Sequence, residues 1–136
     1  MKRVPFLFLS FVLLLGVMAY SPVEAACTCT VFGTLTLHQS CHETTLNLWV
    51  YDYEDPIQQG NKIWILKESL EHVGAGEDFV FDNFQCYFSC SADFRIKSKG
   101  NVLYQGQLPG LSGTLDVGTI YDPSTCGKKP PSTAYP

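Results

Sequence analysis

The chain has 136 residues, 16% of them charged, and its 9 Lys and Arg stand against 13 Asp and Glu for a net charge of −4. The basic residues form no long run, so the electrostatic footprint of a nucleic-acid binder is absent. Six cysteines in so small a chain point to an oxidising compartment and up to three disulfides.

The first segment reads as a secretory signal peptide over residues 1–25. Lys2 and Arg3 form a positive start, Phe6 to Met18 an apolar run, and Ser21, Pro22 and Glu24 a polar stretch before a small-residue site. Cleavage after Ala25 places Val23 and Ala25 at the minus-three and minus-one positions. The apolar run is shorter than the roughly 20 residues needed to cross a bilayer, so no membrane span is expected in the mature chain. The expected product is a secreted, extracellular domain over residues 26–126, followed by a disordered tail at 127–136 that lacks apolar periodicity.

Strand signals recur through the mature chain. Thr30 to Leu37 alternates apolar and small residues, with Gly33 marking a bulge or a close backbone approach. Thr44 to Tyr53 is the clearest strand: Leu46, Leu48 and Val50 face one way, Asn47, Trp49, Tyr51 and Tyr53 the other. Glu54, Asp55 and Pro56 end it, because proline lacks a ladder donor. Ile63 to Leu66 predicts a third strand, extending toward Ser69, although Ser69 to His72 also suits one helical turn. Asp78 to Phe84 follows the Gly74-Ala75-Gly76 turn. Asp93 to Lys99 is half-buried, with Phe94, Ile96 and Ser98 against Arg95, Lys97 and Lys99. A hairpin turn at Gly100-Asn101 leads into Val102 to Gln105, and Leu115 to Tyr121 supplies the last strand. Seven short strands predict an all-β fold, a transthyretin-like or Ig-like β-sandwich stapled by disulfides, with a small closed barrel as the competitor.

The chemistry carried by the residues points away from catalysis. No nucleophile elbow, phosphate loop, His-Glu-x-x-His or Cys-x-x-Cys occurs, so no enzyme, cofactor or metal is expected. His38, Cys41 and His42 have metal-like spacing, but a zinc site there would leave an odd cysteine unpaired. All six cysteines, Cys27, Cys29, Cys41, Cys86, Cys90 and Cys126, are expected in disulfides. Cys27 and Cys29 cannot easily bond each other, because side chains two apart on a strand point the same way. Asp52, Glu54 and Asp55 read as a solvated turn. Most of the aromatic residues of the middle of the chain, Trp64 to Phe88, are expected to fill the core. Trp49, Tyr51 and Tyr53 form a second apolar face that needs a cover, and Arg95, Lys97 and Lys99 line one face of their own strand. These six are the candidate ligand- or partner-binding residues.

Three segments in order resemble the nematode transthyretin-like family of secreted proteins: Val31-Phe32-Gly33-Thr34-Leu35, Leu48 to Pro56, and Leu115-Asp116-Val117-Gly118-Thr119-Ile120. Cys41 also falls where that family often has a cysteine. The departures are Asp78-Phe79, which lacks the family's preceding glycine, and Cys86 and Cys90, which come before the strand that the family's cysteine follows. The chain ends Ser132-Thr133-Ala134-Tyr135-Pro136, without the Tyr-Arg-Gly-Ser motif of the transthyretin-related hydroxyisourate hydrolases. The resemblance implies a non-enzymatic extracellular binding module whose partner is a hydrophobic small molecule, a lipid or a cell-surface protein. Open sheet edges leave a dimer available. A rival resemblance comes from Cys27-Thr28-Cys29: netrin-like metalloproteinase inhibitors begin their mature chain Cys-x-Cys and chelate the protease zinc with the first residue's amine and carbonyl. That use requires cleavage directly before Cys27.

Overall fold

The computed structural model describes residues 25–111 and 113–127; the signal-peptide reading and the tail from 128 onward lie outside the described residues. Seven strands form two sheets: β1 (Cys27–Leu37), β2 (Glu43–Tyr53), β3 (Lys62–Gly74), β4 (Asp78–Cys86), β5 (Asp93–Ser98), β6 (Asn101–Gln107) and β7 (Thr114–Asp122). One sheet has the order β4-β1-β7 and the other β3-β2-β5-β6, so the domain is a β-sandwich and not a closed barrel. β1 and β7 run parallel, and every other pairing is antiparallel.

The period-two pattern of β2 decides which side of its sheet is buried. Leu46, Leu48 and Val50 have no exposed surface and meet Val31, Leu35, Phe81, Phe94 and Ile96 between the sheets. Fully burying side chains of this size contributes about 1.5–3 kcal/mol each before the cost of ordering the chain. Phe79, Phe81 and Phe84 of β4 join this core as expected. Trp64, Tyr87 and Phe88 do not, and Tyr87 is only half-buried. Trp64 is only half-buried, on β3, and Phe88 keeps 37% of its surface exposed beyond the end of β4.

Gly33 sits where β1 and β7 slip in register between Phe32 and Thr34. A Cβ there would lie 2.5 Å from the Gly118 carbonyl oxygen and 2.8 Å from Val117 Cγ2, so only glycine allows the two strands this approach. The β5–β6 turn lies one residue earlier than expected. Its central pair is Lys99-Gly100, with φ of 50° and 82°, and Ser98 pairs with Asn101 across it. Positive φ at both central residues marks the type I′ geometry, whose twist matches that of the flanking strands. The stretch Ser69 to His72 is strand throughout, not a helical turn, because it pairs with β2 at Leu46 and Asn47.

Two disulfides staple the sandwich, Cys27–Cys90 and Cys41–Cys126. The expectation that all six cysteines pair is corrected: Cys29 and Cys86 are buried free thiols in the core. The register supplies the reason. Cys86 lies opposite Cys27, which is taken by Cys90, and Cys29 lies opposite Phe84.

Candidate functional site

The outward side of the β3-β2-β5-β6 sheet gathers five of the six predicted partner-binding residues. Trp49, Tyr51 and Tyr53 alternate with the buried positions of β2, and β5 places Arg95 opposite Trp49 and Lys97 opposite Asn47. On the other flank β3 sets Leu66 opposite Trp49, Trp64 opposite Tyr51 and Lys62 opposite Tyr53.

A bulge makes this arrangement. The β2–β3 register shifts between Leu48, opposite Glu68, and Trp49, opposite Leu66, which leaves Lys67 as the extra residue. The shift turns Lys62, Trp64 and Leu66 to the outside. Lys67 instead directs its Nζ to the buried Asp52 carboxylate, 2.7 Å from Oδ2.

On the outer face rings and cations alternate. The Arg95 guanidinium lies 4.0 Å from the Trp64 ring centroid, and Lys97 Nζ lies 5.5 Å from that of Trp49. Tyr51 and Trp64 pack with centroids 5.5 Å apart. Farther along, Tyr53 meets Phe88 edge-on at 5.6 Å, and Lys62 Nζ sits 4.1 Å over the Phe88 ring. Each exposed cation–ring contact contributes on the order of 0.5–1 kcal/mol and restricts the side chains before any partner arrives. Leu66 at 45% and Val102 at 47% exposure complete an unusually apolar outer surface.

Lys99 does not extend the cationic stripe. It occupies the β5–β6 turn, and its Nζ donates to Cys126 Sγ at 2.8 Å, at the far end of the sheet.

Asp52 departs from the solvated turn expected of Asp52, Glu54 and Asp55. It is fully buried rather than part of a solvated turn, because it continues the inward parity of Leu46, Leu48 and Val50. Its carboxylate accepts hydrogen bonds from the backbone N–H of Tyr53, Tyr87 and Phe88, at 2.9, 3.0 and 2.6 Å to Oδ1, besides the Lys67 ion pair. Burial pushes its pKa up, but the Lys67 contact and the Tyr87 and Tyr53 N–H groups outweigh that and hold the carboxyl below its ordinary range. Through Tyr87 and Phe88, Asp52 fastens the segment leading from β4 to β5 and seats the Phe88 ring against Tyr53. The parity of β2 was the signal that would have placed it.

The cations of the strands all belong to one sheet. No Lys or Arg occurs in β4, β1 or β7, whose outer side carries Asp78, Asp82 and Asp116, whereas Lys62, Lys67, Arg95 and Lys97 all belong to the other sheet.

No family model, no curated protein and no solved structure matches the chain. The site is therefore read from its own geometry. No group of three or more His, Cys, Asp or Glu side chains suited to a metal ion occurs among the described residues, and His38 instead hydrogen-bonds Ser40 Oγ at 2.7 Å. No helix among the described residues is long and apolar enough to cross a membrane.

Proposed function

We propose that the chain is a secreted, non-enzymatic binding module that engages an extracellular protein through the outer face of its four-stranded sheet. The composition of that face carries the reading: Trp49, Trp64, Tyr51 and Arg95 are neighbours on one surface, and Trp, Tyr and Arg are the residue types that dominate protein-binding hot spots. Two disulfides support an oxidising, extracellular setting. Between a protein partner and an enclosed apolar ligand, the filled space between the sheets favours the protein, since Phe81, Phe94, Leu35 and Leu48 occupy the room a ligand would need. The segments that resemble the transthyretin-like family lie in β1, β2 and β7, and membership in that family is part of the same proposal.

The inhibitor reading requires a free Cys27 amine at the start of the chain. Cys27 is instead 3% exposed and its backbone is paired with Cys86 across β1 and β4, which does not favour that use.

The test compares fluorescently labelled protein with its Trp49→Ala/Tyr51→Ala variant for attachment to cells of the source organism. Attachment lost in the variant, with a cooperative melting transition retained a few degrees lower, supports the reading. Equal attachment by both proteins, or unfolding of the variant, would sink it.

A further inference from the structure

Among the described residues, three cations of the outer face have no carboxylate partner. The ion pairs among the described residues are Lys67–Asp52 and His72–Glu43, which leaves Lys62, Arg95 and Lys97 unpaired. Arg95 is the most constrained of them. Its guanidinium is laid on the Trp64 ring at 4.0 Å, and its Nε donates to Gln105 Oε1 at 3.1 Å. The Nη groups, the paired donors that match a carboxylate bidentately, are left free of any hydrogen bond among the described residues. Lys97 follows two residues on along the same strand face, at a spacing of about 7 Å. Asp93, the outward carboxylate of β5, forms no ion pair with Arg95.

We infer that the docking segment of the partner protein is acidic and that Arg95 is the residue that anchors one of its carboxylates, with Lys97 taking a second. This deepens the binding reading above and rests on it. A guanidinium already held flat loses little freedom when it binds, so its geometry favours a planar carboxylate over a diffuse charge. An anionic membrane is the weaker occupant, because juxtamembrane attraction amounts to only about 1 kcal/mol per basic residue and a diffuse surface charge makes no use of the fixed guanidinium fork of Arg95. The Asp78, Asp82 and Asp116 surface of a second copy is the other available source of carboxylates.

Both tryptophans of the chain lie on this face, so tryptophan fluorescence, excited apart from tyrosine, reports on it alone. The experiment titrates the full chain with hexaglutamate at low salt, beside hexaglutamine and vesicles containing phosphatidylserine. The expected result is a saturable fluorescence change with hexaglutamate only, weakened about tenfold in Arg95→Gln and less in Arg95→Lys, as a lost charge-assisted bidentate contact requires. Lys97→Gln provides a second weakened variant should Arg95→Gln fail to fold. The inference is overturned by no response to hexaglutamate, by an equal response to hexaglutamine, by Arg95→Lys binding as tightly as the parent, or by a response to vesicles alone. A fluorescence change on concentrating the protein by itself, with dimers in sedimentation, overturns it in favour of a second copy. Cell attachment through the Trp49 and Tyr51 face without any response to hexaglutamate removes only the acidic-partner inference and leaves the binding reading standing.

Discussion

Lys67 Nζ and Asp52 Oδ2 lie 2.7 Å apart, with the carboxylate fully buried and the lysine side chain 13% exposed. Removing one member of such a pair leaves the other charge uncompensated. Asp52→Asn is expected to lower unfolding stability by about 3 kcal/mol or more, measured by urea denaturation. It also loosens the Phe88 segment, since Tyr87 and Phe88 donate to the same carboxylate. A change under half that size would show that the N–H donors alone hold the segment.

The same carboxylate sets a pH dependence. Asp52 and Asp122 are both held below their ordinary pKa of 3.8: burial raises each, and the hydrogen bonds and cations around each more than offset it. A lowered folded-state pKa contributes stability that is complete above 3.8 and disappears as pH falls through the folded value. Glu68 acts in the opposite sense, because burial and Asp82 raise its pKa above 4.5, and protonating it on acidification relieves that cost. Urea midpoints should therefore hold or rise slightly down to about pH 4.5 and fall steeply below about 3.8. Asp52→Asn should flatten the steep part.

Cys29 and Cys86 should be unreactive thiols. Burial pushes the Cys86 pKa up to about 12 and raises that of Cys29, so neither supplies thiolate at neutral pH. Alkylation without reductant should label neither in the native protein and both after unfolding. Peptide mapping without reduction should return Cys27–Cys90 and Cys41–Cys126.

Gly33→Ala should destabilise the domain by about 1–3 kcal/mol, because the atom its Cβ meets at 2.5 Å is a backbone oxygen that moves only with β7. Thermal melting reads this directly.

Inward and outward aromatics should separate by size of effect. Phe94→Ala removes a fully buried ring and should cost about 3–5 kcal/mol. Trp49→Ala, on the outer face, should cost about 1 kcal/mol, with the loss of its Lys97 contact included.

The alternation in β2 made one sheet's two faces legible before any coordinates, and with them Trp49, Tyr51 and Tyr53. Trp64 was not legible. Ile63 to Leu66 is apolar on both parities, and the face that Trp64 takes depends on a bulge at Lys67 defined only by pairing with β2. Asp52 was misplaced although its parity was visible, because the neighbouring Glu54 and Asp55 made the run look like a solvated turn. The cysteine pairing follows from which strands lie side by side, information that linear spacing does not contain. Lys99 kept the parity of Arg95 and Lys97 on paper, but the positive φ of the turn carries it off the face.

The two disulfides also determine how the domain responds to tension. A pull applied at Cys27 and Cys126 travels by the shortest covalent route, along residues 27–41 and across the Cys41–Cys126 bridge. That route extends to about 50 Å at most, whatever happens to the sheets. The chain between Cys41 and Cys126, which holds β2 to β7 and the whole aromatic face, lies inside a closed covalent loop, and its other link to the pulled end, through the Cys27–Cys90 bridge and residues 90–126, is too long to become taut first. The two bridges thus cap the extension of the domain before the chain of β2, β3, β5 and β6 can be drawn straight.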